Sequence, residues 1–366
     1  MKNFISSILR TTIFKITFLD FKIFFLRKLS KSFLNNIKSY SFIFSFSKNI
    51  FISVIARPIK FNIKDQKFLN NKYNDVAIIV QGEIDTKDNF TYETIKMYKN
   101  LFNCKIILST WTSSDKKILK QIELLGIDII INKKPSTAGW GNINYQILST
   151  YNALKHAKDS GIKFVAKTRT DTRMYSKNFI FFCCYLLKKF KSQKDDFRII
   201  SIGQIANNKF LPFSLSDIFQ FGEINKMIKF WDKNTWEEDL ISFFNDNIII
   251  NNVPIVSEIF LTSRYYLKTR GNINFEIKDW WEFVKDEIII IDPHLIDFFW
   301  HKYQYENEFF FNQIYNKNHD RHFNFIDWLK LNETKISEIN FNSFIDKKEL
   351  WELDSAETIR KKRKRD

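Results

Sequence analysis

Four short apolar runs alternate with segments of helical periodicity between residues 76 and 171. The runs are Val76–Gly82, Cys104–Trp111, Ile127–Asn132 and Lys163–Asp171, the last of which includes the loop after the strand. Continuous apolar runs of this length are typical of strands buried on both faces of a parallel sheet. The segments between them carry apolar residues three and four apart, as amphipathic helices do. The alternation predicts a three-layer α/β/α fold with a mostly parallel central sheet.

The second half of the chain has a more mixed pattern. It predicts helices at Phe179–Phe190, Glu223–Trp231 and Ile255–Thr269, and strands at Arg198–Gly203, Leu215–Phe221 and Glu287–Asp292. In open α/β sheets, ligands bind outside the carboxyl ends of the strands. The residues that directly follow the predicted strands are therefore the candidates for chemistry.

The net charge of +16 is concentrated at the two ends of the 366-residue chain. Residues 1–72 are basic and rich in phenylalanine, residues 73–359 are close to neutral, and residues 360–366 form a short basic tail. We interpret these parts as a membrane-proximal extension, an α/β catalytic domain and a tail. Because the excess of positive charge lies outside the predicted folded body, no nucleic-acid partner is expected.

The basic extension has a composition suited to an anionic membrane surface. Phe14–Lys38 is dense in Phe, Ile and Leu with spaced basic residues, and is predicted to form an interfacial helix. Alternatively, it is a helical extension packed on the body, or a partly ordered arm. No uncharged apolar run reaches the roughly 20 residues that span a bilayer. Three cysteines suggest no disulfide framework and favour a reducing cytoplasm.

The segment Lys167–Arg173, with the sequence KTRTDTR, is the most informative candidate site. A carboxylate at the end of a buried strand is suited to bind a divalent cation, Mn or Mg, and basic residues beside it are suited to phosphate. We therefore expect Asp171 to be a metal ligand, and Lys167, Arg169 and Arg173 to contact a phosphorylated donor. Alternatively, arginine and aspartate form a clasp that shapes the turn.

Polar residues after the other strands complete the predicted donor site. Gln81, Gly82 and Thr110 follow the first two strands, and Asn144 and Gln146 lie in GWGNINYQILST, where two glycines permit close backbone approach. In the alternative interpretation, Asn142 caps the next helix and the other amides are solvated.

Two further carboxylates are candidates for acid–base chemistry. Asp217, in LSDIFQFG, and Glu258, in PIVSEIF, each stand in an apolar stretch, where a carboxylate is suited to act as a general base or to bind an acceptor hydroxyl. Each is alternatively structural, as a turn cap or a satisfied buried residue. His294 and His301 are interpreted as structural. The P-loop, dinucleotide-binding, nucleophile-elbow and zinc-protease motifs are absent from the sequence.

Taken together, these motifs resemble the WavE lipopolysaccharide synthesis family. The resemblance rests on VQGEI, KIILSTW, N-x-Q-x-x-S-T, KTRTD, SD-x-F-x-FG and SEIFL, in that order over residues 76–303. It implies a GT-A-like glycosyltransferase of lipopolysaccharide or surface-polysaccharide synthesis. Such an enzyme transfers a sugar from a nucleotide-sugar donor to a lipid-linked glycan acceptor at the inner face of the bacterial cytoplasmic membrane. This chain has Tyr145 where the family usually has arginine.

Two alternatives to a glycosyltransferase stay open at this point. One is a sugar-phosphate transferase of capsule synthesis, which uses similar residues and leaves a phosphodiester in its product. The other is a non-catalytic binding or scaffold protein with basic arms.

Overall fold

The computed structural model describes residues 40–47, 50–60, 72–192, 196–203, 207–233, 257–273, 276–302 and 322–341. Its strands are β1 (Tyr40–Ser47), β2 (Ile50–Ala56), β3 (Lys72–Gln81), β4 (Asn103–Trp111), β5 (Asp128–Asn132), β6 (Phe164–Arg169), β7 (Thr172–Met174), β8 (Ile199–Ile202), β9 (Gln220–Glu223), β10 (Ile288–Ile291) and β11 (Phe298–Trp300). Its α-helices are α1 (Phe90–Leu101), α2 (Lys116–Glu123), α3 (Ile143–Asp159), α4 (Phe179–Lys189), α5 (Ile224–Phe230), α6 (Ser257–Arg270), α7 (Ile277–Glu287) and α8 (Phe325–Glu333).

A seven-stranded sheet forms the centre of the fold, in the order β10-β8-β9-β6-β3-β4-β5. Strand β9 is antiparallel to both of its neighbours, and the other pairs are parallel. The predicted α/β fold with a mostly parallel central sheet is therefore confirmed. Strands β3, β4, β5 and β6 correspond to the four apolar runs, and their central residues are almost fully buried, among them Ile78, Ile107 and Val165.

The order of the strands reverses between β3 and β6. From β3 the chain proceeds outward through β4 and β5, and it then returns to the other side of β3 as β6. Crossover connections on opposite sides leave a crevice where the order reverses, outside the carboxyl ends of the two strands. Gln81 and Arg169 are paired in register at these ends. The topology therefore fixes where a ligand has room to bind.

One predicted strand is displaced along the chain. The pattern predicts a strand at Leu215–Phe221, whereas β9 runs from Gln220 to Glu223. The apolar residues before it are buried in a loop whose backbone is bonded to side chains rather than to another strand. The Oγ of Ser214 accepts a hydrogen bond from the Asn208 amide at 2.9 Å, and the Oδ1 of Asn207 accepts one from the Ser216 amide at 2.9 Å. These apolar residues are buried without pairing to a neighbouring strand, which is why their pattern was mistaken for that of a strand.

A two-stranded antiparallel sheet lies beside the crevice. Strand β7 directly follows β6, and β11 pairs with it so that Trp300 is opposite Thr172. Continuing the pairing, the amide of His301 donates to the carbonyl oxygen of Asp171 at 2.9 Å. This small sheet brings residues from far along the chain to the carboxyl end of β6.

The first sixty residues form a compact unit separate from residues 61–366. Within it, β1 and β2 pair as an antiparallel hairpin. The described part of the basic extension is thus β-structured rather than helical. Tyr40–Ser47 intersperses serines among aromatic and apolar residues, and Ile50–Ala56 is a short apolar run rich in β-branched residues, which favour strands. The interfacial helix predicted at Phe14–Lys38 and the tail at 360–366 lie outside the described residues. Among the described helices, none has the length and apolar character needed to cross a bilayer.

Candidate active site

A cleft of about 690 Å³ opens at the crevice between β3 and β6. It contains five of the residues that the sequence analysis assigned to a donor or metal site: Gln81, Gly82, Gln146, Arg169 and Asp171. Its lining includes four basic side chains and three carboxylates. A cleft with this balance is suited to an anionic ligand.

The floor of the cleft is a tightly bonded turn at the end of β3. Gly82 has a φ of +125°, and a Cβ at this position would lie 3.0 Å from the Oγ1 of Thr170. The carbonyl oxygen of Gly82 accepts a hydrogen bond from the Oγ1 of Thr110 at 2.8 Å. Glycine is required because the backbone takes a conformation that L-residues rarely adopt, against a neighbour that leaves no room. Thr110 thus supports the floor from beneath and does not line the cleft.

Asp171 is the centre of a bonded cluster on one side of the cleft. Its Oδ1 accepts from the Nε of Arg169 at 2.9 Å, and its Oδ2 accepts from the Nη2 of Arg169 at 3.0 Å and from the Nε1 of Trp300 at 3.1 Å. Burial acts to raise the pKa of Asp171, but the paired guanidinium and the indole N–H outweigh it and hold the pKa below its ordinary value. The carboxylate is therefore ionised at neutral pH.

His301 joins the cleft beside this cluster. Its Nδ1 lies 2.7 Å from the Oδ2 of Asp85, and its Nε2 lies 3.5 Å from the Oδ2 of Asp88. The imidazole stacks on the ring of Phe90, with centroids 4.3 Å apart and planes inclined by 3°. Two carboxylates and an aromatic face fix the orientation of this ring, and Lys302 follows it at the rim of the cleft.

One wall of the cleft is aromatic. The rings of Trp111 and Tyr145 lie 5.4 Å apart, and the Nζ of Lys134 lies 5.9 and 5.8 Å from their centroids. Lys134 also forms an ion pair of 2.9 Å with Glu83. Tyr145, which stands where the resembling family usually has arginine, contributes a ring to this wall in place of a charge. The wall is suited to a flat ligand group that stacks on aromatic faces.

The amide residues at the start of α3 divide between ligand-facing and structural positions. Gln146 lines the cleft, and its Oε1 is buried without a hydrogen-bond partner within the described part of the chain. Asn144 instead lies outside the cleft lining and bonds the carbonyl oxygen of Thr137 at 3.3 Å. Asn142, at the N-terminus of α3, has a φ of +62° and makes no capping hydrogen bond with its side chain.

Lys167 and Arg173, predicted to contact phosphate, do not line the cleft. Lys167 is fully buried in β6, donates to the carbonyl oxygen of Asp217 and lies 4.5 Å from the ring centroid of Trp231. Arg173 is fully buried in β7, where its Nε donates to the Oγ1 of Thr94 at 2.8 Å. Both side chains are held in the protein interior, so neither fits the predicted role of contacting phosphate.

Asp217 and Glu258 form a second polar cluster next to the cleft. Asp217 is 2% exposed, and its Oδ2 has no hydrogen-bond partner within the described residues. Burial, together with repulsion from Asp217, raises the pKa of Glu258 to about 7. Ser257 donates to the Oε2 of Glu258 at 3.1 Å, and a Cβ on Gly141 at the cleft rim would lie 3.3 Å from the Oγ of Ser257. The two predicted acid–base residues are thus coupled to each other.

The residues present do not fit a divalent cation held by Asp171. Both carboxylate oxygens already accept hydrogen bonds from Arg169 or Trp300. Among the described residues, no three His, Cys, Asp or Glu side chains come together as a metal-binding group. A hard divalent cation needs several oxygen ligands, whereas the groups that contact the Asp171 carboxylate directly are the Arg169 guanidinium and the Trp300 N–H. The role of Asp171 as a metal ligand stays a prediction, and the contacts in this structure favour a role in orienting Arg169.

Several residues in or beside the cleft were not assigned to the site by the sequence analysis: Asp85, Trp111, Lys134, Trp300, His301 and Lys302. The last three belong to β11 or follow it directly, and a three-residue strand gives no periodic signal. Trp111 is the last residue of β4, so its position at the carboxyl end of a predicted strand was a usable signal.

Comparisons with known proteins give one family and several distant structures. A family model described as WavE lipopolysaccharide synthesis matches residues 76–363, which confirms the resemblance found in the motifs. No curated protein matches the sequence.

The fold is also similar to solved structures of low identity. One is a putative nucleotide-diphospho-sugar transferase from Desulfovibrio desulfuricans, with 9% identity, coverage of 59% of this chain and 79% of that chain, and a TM-score of 0.33. HddC from Yersinia pseudotuberculosis has 14% identity, coverage of 53% and 96%, and a TM-score of 0.30. A glycosyltransferase involved in the glycosylation of the major capsid of PBCV-1 has 8% identity, coverage of 60% and 83%, and a TM-score of 0.27.

Proposed function

Because the chain belongs to the WavE lipopolysaccharide synthesis family, we propose that it is a glycosyltransferase that transfers a sugar from a nucleotide-sugar donor to a lipid-linked glycan acceptor. The observation that carries the proposal is the cleft at the point where the strand order of the sheet reverses. The cleft is lined both by an aromatic wall and by the Arg169 and Lys302 side chains, which are suited to the base and to the diphosphate of a nucleotide.

In the proposed reaction, Glu258 is the general base. The bond between the anomeric carbon of the sugar and the diphosphate oxygen breaks, and a bond from the acceptor hydroxyl oxygen to that carbon forms. The hydroxyl proton passes to the carboxylate of Glu258, and the nucleoside diphosphate leaves with the electron pair of the broken bond. A base with a pKa of about 7 is half ionised at neutral pH, which is close to the optimum for this role.

Asp217 positions this base electrostatically. It is buried beside Glu258, and its negative charge raises the pKa of Glu258. Without that repulsion, Glu258 would be a weaker base at neutral pH. The raised pKa of Glu258 and the short span from Ser257 to Gly141 support a site for the acceptor next to the donor cleft.

We further propose that the protein works at the inner face of the bacterial cytoplasmic membrane, where a lipid-linked acceptor is found. The support for this is the positive charge of residues 1–72, which attracts anionic lipid by roughly 1 kcal/mol for each basic residue near the surface. The catalytic body is close to neutral, so attachment would depend on the extension.

The function is tested by donor hydrolysis with the purified full chain, across a panel of nucleotide-sugars. Because the acceptor is unidentified, slow transfer of the sugar to water serves as the readout. We expect turnover of one donor or a few related donors, and its loss in Glu258→Gln. The matched control is Glu123→Gln, which removes one exposed carboxylate from α2.

Two results would count against the proposal. If no nucleotide-sugar or nucleoside diphosphate binds to the folded protein, the cleft does not hold a donor. The interpretation as a non-catalytic scaffold protein is then favoured. If a donor binds and is hydrolysed equally by Glu258→Gln and by the unsubstituted protein, Glu258 is not the base.

A further inference from the structure

The three carboxylates that line the cleft each contact a nitrogen-bearing side chain of the protein. Glu83 is 2.9 Å from the Nζ of Lys134, Asp85 is 2.7 Å from the Nδ1 of His301, and Asp171 is joined to Arg169 by two hydrogen bonds. A metal ion entering the cleft would therefore have to displace an existing contact at any carboxylate it approached.

The geometry at Asp171 is that of an organising carboxylate. Its two oxygens bind the Nε and Nη2 of Arg169, the side-on fork that fixes a guanidinium plane. The Trp300 indole N–H holds the Oδ2 from the other side at 3.1 Å. The side chain of Asp171 is 12% exposed, so these bonds are largely sheltered from water. Arg169 is thus set in one orientation at the wall of the cleft.

Asp171 also positions a second cation through its main chain. Its carbonyl oxygen accepts the amide hydrogen of His301 at 2.9 Å, which fixes the end of β11 and places Lys302 at the rim. The ammonium group of Lys302 is close enough to contribute to the lowered pKa of Asp171. A single residue therefore orients one cation with its side chain and another with its backbone.

We propose that Arg169 and Lys302 form a cationic clamp, organised by Asp171, which takes the charge of the donor diphosphate in place of a divalent cation. The inference rests on the proposed function, because it names how the donor cleft holds its ligand. Arginine presents a planar fork suited to phosphate oxygens, and lysine adds a compact charge. His301 contacts the carboxylates of Asp85 and Asp88 at 2.7 and 3.5 Å and holds them in place beside the clamp.

The clamp predicts that nucleoside diphosphate binds without a metal ion. The probes are UDP, GDP, ADP and CDP, titrated calorimetrically into the full chain in EDTA and again in manganese. We expect the nucleotide that binds to do so with the same affinity in both buffers. Loss of a charge-assisted hydrogen bond corresponds to roughly ten- to hundredfold weaker binding, which we expect for Arg169→Gln and for Lys302→Gln. Lys116→Gln, on exposed α2, is the matched control.

Asp171→Asn distinguishes a positioning residue from a metal ligand. Under the clamp, it weakens nucleotide binding in EDTA, and manganese does not change the size of that loss. Trp300→Phe keeps the carboxylate of Asp171 but removes one of its hydrogen bonds. We therefore expect a smaller loss of nucleotide affinity in EDTA than for Asp171→Asn. Lys302→Gln, at an exposed position, keeps the test decisive if Asp171→Asn does not fold.

The outcomes separate the clamp from the function. Binding that appears only with manganese or magnesium, and that Asp171→Asn abolishes, would overturn the clamp and leave the glycosyltransferase proposal intact. Equal affinity of Lys302→Gln, Arg169→Gln and the unsubstituted protein in EDTA would also overturn it. If none of the nucleoside diphosphates binds in either buffer, the proposed function fails together with the clamp.

Discussion

The burial of Lys167 predicts a specific change of stability with pH. Its side chain is fully buried in the central strand β6, with the carbonyl oxygen of Asp217 as hydrogen-bond acceptor and the ring of Trp231 below the ammonium group. Burial lowers the pKa of Lys167 from 10.5 to about 8, although the Asp217 carboxylate acts in the opposite direction. Holding this lysine charged therefore costs stability in the folded state.

The size of the effect follows from the two pKa values. Below pH 8 the lysine is protonated in both the folded and the unfolded chain, and the full cost is present. Between pH 8 and 10.5 the folded chain releases the proton while the unfolded chain keeps it, so the stability of the fold rises with pH. The difference of about 2.5 pH units, at 1.36 kcal/mol each, gives a gain of about 3 kcal/mol.

The prediction is measured as a difference between two proteins. The free energy of unfolding in urea is determined from pH 7 to pH 11 for the unsubstituted chain and for Lys167→Met, which keeps the apolar volume and cannot titrate. We expect the unsubstituted chain to gain about 3 kcal/mol relative to Lys167→Met across this interval. Groups common to both proteins cancel in the difference.

Lys163→Met is the matched control, because Lys163 is an exposed lysine directly before the same strand. It reports the effect of removing one positive charge without removing a buried one. A difference curve for Lys167→Met that is flat between pH 8 and 10.5 would refute the reasoning, since it would mean that the folded and unfolded chains bind the same number of protons there.

Three further predictions address the active site, the packing and the membrane. The rate of donor hydrolysis should fall about tenfold per pH unit below pH 7, because Glu258 must be ionised to act as a base. Asp217→Asn should move this acidic limb of the pH–rate profile to lower pH, because it removes the charge that raises the pKa of Glu258. A limb that does not move would contradict the interaction between the two residues. Gly203→Ala should lower the free energy of unfolding in urea by about 1–3 kcal/mol relative to the unsubstituted protein, because its Cβ would lie 2.3 Å from the carbonyl oxygen of Phe323; an unchanged free energy would contradict this packing. Removal of residues 1–60, a compact unit of their own, should weaken co-sedimentation of the protein with anionic vesicles and leave its co-sedimentation with neutral vesicles unchanged. Equal co-sedimentation of the full and the shortened protein with anionic vesicles would argue against an anchoring role.

The sequence was sufficient to predict the strands β3, β4, β5 and β6 of the sheet, because parallel strands are buried on both faces. Such strands become continuous apolar runs, and each of β3, β4, β5 and β6 was visible as one. The edge of the sheet that carries the site was also predictable, since ligands bind at the carboxyl ends of strands. That rule led to Gln81, Gly82, Arg169 and Asp171, which do line the cleft.

The direction of a strand side chain was not predictable to the same degree. Lys167 and Arg169 stand two residues apart on β6 and therefore share a face of the sheet. Arg169 ends the strand and reaches the cleft, whereas Lys167 is covered by Trp231 and by the loop that carries Asp217. A basic residue near a strand end is suited to phosphate only if no later segment of the chain covers it.

By itself, the sequence determined the fold class, the end of the sheet where the cleft opens, and the presence of Arg169 and Asp171 there. Tertiary structure alone decided which groups surround Asp171. Its partner Trp300 is far away along the chain and arrives on β11, a strand of three residues without periodicity. Whether a strand-end carboxylate binds a metal or orients a cation depends on which groups surround it, and those groups come together only when the chain has folded.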